Sequence, residues 1–217
     1  MVISLTTDRY PFNILLLSDT HFHYGDKFPA YLTGFFRDLL PDLILHCGDL
    51  YDRDLLPGLS RLAPMYAVRG NRDILSWFRL PPCIDLTVSE LRVHMEHGQG
   101  NFAQYLLKKL RILCHRFLNK PWEHEKVTRV PRNFRDYDVC IAGHTHHLQI
   151  FRSESTLIVN PGHLNLYHGR ETEAPSFLLM SVTEDGIVFR KFILHDRKIT
   201  EEKPERFGLR FGTGNAA

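Results

Sequence analysis

The sequence predicts an α/β fold whose chemistry gathers at one edge of its strands. Continuous apolar runs of strand length recur, with a stretch of helical periodicity between the first two. Five of these strands end in a short polar motif carrying Asp, Asn or His. In open α/β sheets, sites form just beyond the carboxyl ends of strands.

Phe12 to Leu17 is uniformly apolar, as a strand buried on both faces should be, and it runs into Ser18-Asp19-Thr20-His21. Tyr31 to Leu40 reads as an amphipathic helix closed by Pro41. Asp42 to Cys47 is a second strand, ending in Gly48-Asp49-Leu50-Tyr51-Asp52. Leu55 to Leu62 reads as a short helix, although Pro57 and Gly58 blur its start. Met65 to Arg69 is a third strand, ending in Gly70-Asn71-Arg72-Asp73. Leu91 to Glu96 leads into His97-Gly98, and Tyr137 to Ala142 leads into Gly143-His144-Thr145-His146. In an extended segment, side chains two apart share a face. Asp19 with His21, and His144 with His146, are therefore expected to aim together. Leu148 to Phe151, Thr156 to Val159, Phe177 to Val182 and Ile187 to Leu194 read as later strands, separated by turn signals such as Asn160-Pro161-Gly162. The scaffold is assigned to residues 1–195, and the polar, then Gly-rich residues 196–217 read as a loosely held tail.

The composition suits one sizeable globular domain: 217 residues, 43% hydrophobic and 24% charged. A net charge of +2 selects no partner class. Cys47, Cys83, Cys114 and Cys140 show no paired spacing, so neither a disulfide framework nor a zinc ribbon is expected. Cys47 and Cys140 read as buried small hydrophobes. Residues 1–11 carry no signal-like pattern, and no apolar run is long enough to span a membrane. The expectation is a soluble, cytoplasmic protein.

The strand-end motifs supply Asp19, His21, Asp49, Asn71, His97, His144 and His146. Mixed imidazole and carboxylate donors suit first-row transition ions, whereas an all-oxygen magnesium or calcium site needs no histidine cluster. Seven donors exceed one tetrahedral zinc and suit two ions sharing a carboxylate. Each motif alone has an ordinary structural use, as a helix cap or a turn. All five in order, at successive strand ends, point to metal.

As a set, Asp19-x-His21, Gly48-Asp49-x-x-Asp52, Gly70-Asn71-x-Asp73, His97-Gly98 and Gly143-His144-x-His146 resemble the motifs of calcineurin-like metallophosphoesterases. The resemblance spans about 12–194, and Asn160-Pro161-Gly162 is similar to the small bacterial and archaeal phosphodiesterase branch. It implies two stacked mixed β-sheets flanked by helices. It implies one ion on Asp19, His21, Asp49 and His146, another on Asp49, Asn71, His97 and His144, and Asp49 as the bridge. It implies two divalent transition-metal ions, manganese foremost among manganese, iron, zinc, cobalt and nickel. The implied activity is hydrolysis of a phosphate ester, a diester foremost, with a metal-bridging hydroxide as nucleophile.

The chain departs from that pattern in one place. Many members carry a histidine after the motif asparagine; here the residue is Arg72. An arginine cannot shuttle a proton but can clamp a phosphate through two hydrogen bonds. Asp52 is then expected to orient Arg72, and His23 becomes the candidate acid; His94 is out of phase with His97. Asn-Arg-Asp with a long insert is also similar to pyrophosphatases that cleave UDP-diacylglucosamine, which gives a lipid-linked diphosphate as the alternative substrate. A non-catalytic sorting-complex scaffold shares the fold and is a further alternative.

Residues 99–136 form a basic insert. Over 101–138 there are nine Lys/Arg and four Asp/Glu. Phe102, Leu106, Leu110, Leu113 and Phe117 give it a helical apolar side. It reads as core helix, substrate cap or peripheral membrane contact, and a stable nucleic-acid complex is not expected.

Overall fold

The computed structural model describes residues 1–23, 26–50, 55–73, 80–98, 128–131, 133–167 and 173–208. Two mixed sheets stack on one another. The larger one begins with three parallel strands, β2 (Phe12–Leu17), β3 (Leu43–His46) and β4 (Met65–Ala67). Helix α1 (Ala30–Asp38) connects the first two, and α2 (Leu55–Ser60) precedes the third. The sheet continues antiparallel through β10 (Ser176–Thr183), β11 (Gly186–His195) and β12 (Lys198–Glu201), in the order β12-β11-β10-β2-β3-β4. β13 (Glu205–Gly208) also pairs with β11.

The smaller sheet has the order β1-β5-β6-β7-β9-β8. Its members are β1 (Val2–Leu5), β5 (Cys83–Val88), β6 (Leu91–Glu96), β7 (Val139–Ala142), β8 (Leu148–Ser153) and β9 (Thr156–Pro161). β6, β7 and β9 run parallel.

The all-apolar reading of β2 has a direct cause. Ile14 and Leu16 point between the sheets, where they meet Val93, Met95, Ile141 and Val159. Leu15 and Leu17 point the other way, toward Leu32 and Phe36 of α1 and toward Phe177 and Phe192. Both sets are fully buried, and each such side chain contributes on the order of 1.5–3 kcal/mol. Phe36 meets Phe177 edge-on, with ring centroids 4.9 Å apart. α1 stops where Leu40 takes a left-handed conformation just before Pro41.

The structure departs from expectation in two places. β1 and β5 are absent from the expected strands because their alternation is short: Ile84, Leu86 and Val88 of β5 are buried between half-buried neighbours, and β1 is four residues with no buried side chain. The segment read as a loose tail forms β12 and β13 over part of its length. Their side chains are mostly exposed, but the edge backbone of β11 gives them hydrogen-bond partners. Arg190 grips Glu201 with two bonds of 2.7 and 2.8 Å, and Lys191 pairs with Glu205. Residues 209–217 lie outside the described residues, as do 99–127 with the helical stretch expected there.

Candidate metal centre

Five parallel strands end at the same rim: β2, β3 and β4 from the larger sheet, and β6 and β7 from the smaller. The rim therefore belongs to two sheets rather than to one edge of a single sheet. Asp19, His21, Asp49, Asn71, His97, His144 and His146 all stand just past these strand ends.

The loops approach closely because glycine permits it. A Cβ on Gly70 would lie 2.1 Å from Asp49 Oδ1, and one on Gly48 would lie 2.6 Å from the Gly70 nitrogen. Asp73 ties these two loops together. Its buried Oδ2 accepts the backbone N–H of Asp49 and of Gly70, each at 2.8 Å. Asp49 Oδ1 in turn accepts the Arg72 N–H at 2.8 Å. On the other sheet, Asn160 Nδ2 donates to the Gly143 carbonyl at 2.9 Å and to Thr145 Oγ1 at 3.0 Å. The Asn-Pro-Gly segment thus holds the loop that carries His144 and His146.

Strand alternation is not what aims the side chains. Asp19, His21, Asp49, His144 and His146 have φ of 50°, 51°, 56°, 72° and 64°, all left-handed. Left-handed residues of this kind concentrate where neighbouring structure over-determines the backbone. His144 and His146 consequently face two neighbouring points rather than one. His144 Nδ1 lies 3.0 Å from Asn71 Oδ1 and 3.3 Å from His97 Nε2, while His146 Nε2 lies 3.1 Å from Asp19 Oδ1.

The donor atoms fall into two adjoining groups. Those of Asp19, His21 and His146 lie within 4.8 Å of one another, and so do those of Asp19, Asp49 and His97. Both carboxylates reach both groups, but differently. Asp49 divides its oxygens: Oδ2 is 3.4 Å from His21 Nε2, and Oδ1 is 3.6 Å from His97 Nε2. Asp19 presents Oδ1 alone, because Oδ2 accepts Ser18 Oγ–H at 2.5 Å and the His144 N–H at 2.9 Å. Asp19 is thus common to both groups, and Asp49 faces a histidine of each.

Burial penalises both carboxylates as anions, yet neighbouring histidines outweigh it. His97 and His146 hold Asp19 well below the usual carboxylate range; His97 and His21 hold Asp49 low. Burial likewise opposes a charge on His21, and Asp19 and Asp49 overcome it and raise its pKa. His97 Nδ1 lies 2.7 Å from the Cys47 carbonyl, which can only accept, so Nδ1 carries a proton and Nε2 is the nitrogen turned toward the centre. Among the described residues, His21 Nε2 is the buried side-chain polar atom with no hydrogen-bond partner. This nitrogen makes no hydrogen bond but lies 3.6 Å from Asp19 and 3.4 Å from Asp49, a space a divalent cation could fill, and the mixed imidazole, amide and carboxylate donors fit a transition ion.

Arg72 is half-exposed, with Nε 3.9 Å from Asp49 Oδ2. His23 donates its backbone N–H to Asp26 at 2.7 Å. Asp52 lies outside the described residues. His94 is engaged on the smaller sheet, with Nδ1 2.7 Å from Asp85. The sequence reading assigned no role to Ser18, Asp73, Asn160 or Asn165. For Asp73 and Asn160 the signal was there, since both belong to motifs already singled out.

Residues 12–185 match the calcineurin-like phosphoesterase superfamily domain, and the chain belongs to that family. A probable metallophosphoesterase of Methanocaldococcus jannaschii is 31% identical over 68% of this chain and 65% of its own length. This chain thus spans just under two thirds of that relative. A probable metallophosphoesterase of Methanothermobacter thermautotrophicus is 30% identical over 68% of this chain and 74% of its own. Among solved structures, vacuolar protein sorting 29 from Cryptosporidium parvum superposes with a TM-score of 0.68 at 19% identity, covering 92% of this chain and all of that one (100%). At that identity the likeness speaks for the fold alone. No helix among the described residues is long and apolar enough to cross a membrane.

Proposed function

We propose that the chain hydrolyses phosphate esters, diesters foremost, at a centre for two divalent transition-metal ions. One ion falls to Asp19, His21, Asp49 and His146; the other falls to Asp49, Asn71, His97 and His144. The observation that carries this is the orphaned His21 Nε2, enclosed by two buried carboxylates at the meeting point of five strand ends. Bound ions would polarise a phosphoryl oxygen and make water a nucleophile near neutral pH.

The chain's own residues set the rest. Asp49 and Asp19 bring buried negative charge that recruits cations. The Cys47 carbonyl keeps His97 Nε2 turned inward. Asp73 and Asn160 hold the loops so that little reorganises during reaction. Arg72, at the exposed side of the centre, reaches toward a phosphate and accepts charge developing on it, without moving a proton. Family membership supports the reaction class.

The test is metal analysis joined to a hydrolysis screen of mono-, di- and pyrophosphate esters with manganese present. About two ions per chain and preferential turnover of an aryl phosphodiester are expected. Preference for an acylated diphosphate would favour the lipid-linked alternative. No binding and no turnover would leave only the scaffold.

A further inference from the structure

His21 and His97 occupy comparable places at the centre but are held differently. His97 rests its Nδ1 on a backbone carbonyl, which can only accept. His21 rests its Nδ1 on a side-chain amide: Asn165 Nδ2 lies 3.3 Å away. An amide can serve either tautomer. With Nδ2–H donating, the imidazole proton sits on Nε2, pointing at Asp19 and Asp49. With the amide turned end for end, Oδ1 accepts Nδ1–H, and the Nε2 lone pair faces the centre. The two orientations have nearly the same shape.

We propose that Asn165 is the positioning residue of His21: its amide holds the imidazole with Nε2 toward the centre and, through Oδ1, keeps the proton on Nδ1 when an ion is bound. The proposal rests on the metal centre described above. Two features support it. Asn165 is only 6% exposed, so its amide is confined. Its loop is also anchored on the site: Leu164 N–H donates to the Ser18 carbonyl at 3.0 Å, and Asn165 N–H donates to His163 Nδ1 at 3.3 Å. The loop that follows β9 is thereby stitched to the loop that follows β2. A histidine ligand is commonly oriented through its second nitrogen, and losing that partner typically weakens metal binding by about 10–100-fold.

Manganese and zinc affinities of the full chain, read by competition with a chromophoric chelator, test this. Asn165→Leu removes the acceptor, and a loss of about 10–100-fold is expected. Asn165→Asp keeps an acceptor and should bind at least as tightly as wild type. A simple packing role would weaken both. Equal affinity in wild type and Asn165→Leu overturns the proposal, as does equal weakening by Leu and Asp. Nitrogen-15 spectra of histidine side chains in the zinc-loaded wild type give a reading that needs no variant. They should show His21 protonated at Nδ1 and ligated through Nε2; an unprotonated Nδ1 overturns the proposal. Wild type that binds no ion would sink the metal centre itself, an outcome distinct from a failure of Asn165 alone.

Discussion

The carboxylate of Asp73 accepts the backbone N–H of Asp49 at 2.8 Å, so one aspartate holds the main chain of another. The same oxygen takes the Gly70 N–H, and Asp73 is 1% exposed. Asp73→Ala would strand both donors in a buried place. It is expected to cost about 2–4 kcal/mol in urea unfolding of the metal-free protein. Asp73→Asn keeps one acceptor and should cost less. Equal stability of Asp73→Ala and wild type would contradict this.

Asp49→Asn keeps the shape and removes a charge that lies 3.4 Å from His21 and 3.6 Å from His97. Its circular dichroism should match wild type. Metal content should fall from about two ions, and turnover should fall by more than the ~10–100-fold typical of outer-shell changes. A folded variant at full rate would refute the shared role.

Arg72 supplies a forked donor from a half-exposed position beside Asp49. Arg72→Ala is expected to lower kcat/KM on a diester by about 10²–10³. Arg72→Lys should stay impaired despite equal charge, because the fork is lost. Recovery of full rate by lysine would show that charge alone suffices.

Acid should weaken the fold through His46. Burial pushes this fully enclosed imidazole down to about 3. The unfolded chain takes a proton near pH 6.5 that the fold refuses, so stability is intact above about 6.5 and falls as pH drops toward 3. His21 and His94 are opposed by burial but raised by neighbouring carboxylates. Their contributions are lost only as pH rises through those raised values, so they add no slope below about 6.5. In a chelator, the wild-type Tm should drop between pH 6.5 and 4, and more shallowly in His46→Gln. Parallel curves would exclude His46 as the cause.

The residues gathered at the rim were legible in the sequence because each belongs to a short polar motif that closes a strand-length run, apolar from Ile14 on in β2, throughout in β7 and alternating in β6. How they are aimed was not legible there. Alternation ends with Leu17 and Ala142, and the residues beyond turn left-handed, a feature no two-residue period encodes. Asn165 left no trace, since its partner His21 is 144 positions away. Edge strands β12 and β13 stayed hidden because the backbone of β11, not an apolar pattern, holds them.

The donors come from two different layers. Asp19, His21, Asp49 and Asn71 follow strands of the larger sheet, and His97, His144 and His146 follow strands of the smaller. Neither layer owns a complete set. In the proposed centre both ions would be held only when the two halves of the sandwich have docked in register, so metal loading would report on correct assembly. A chain whose layers are misplaced would lack part of each proposed donor set, since both sets draw on both sheets.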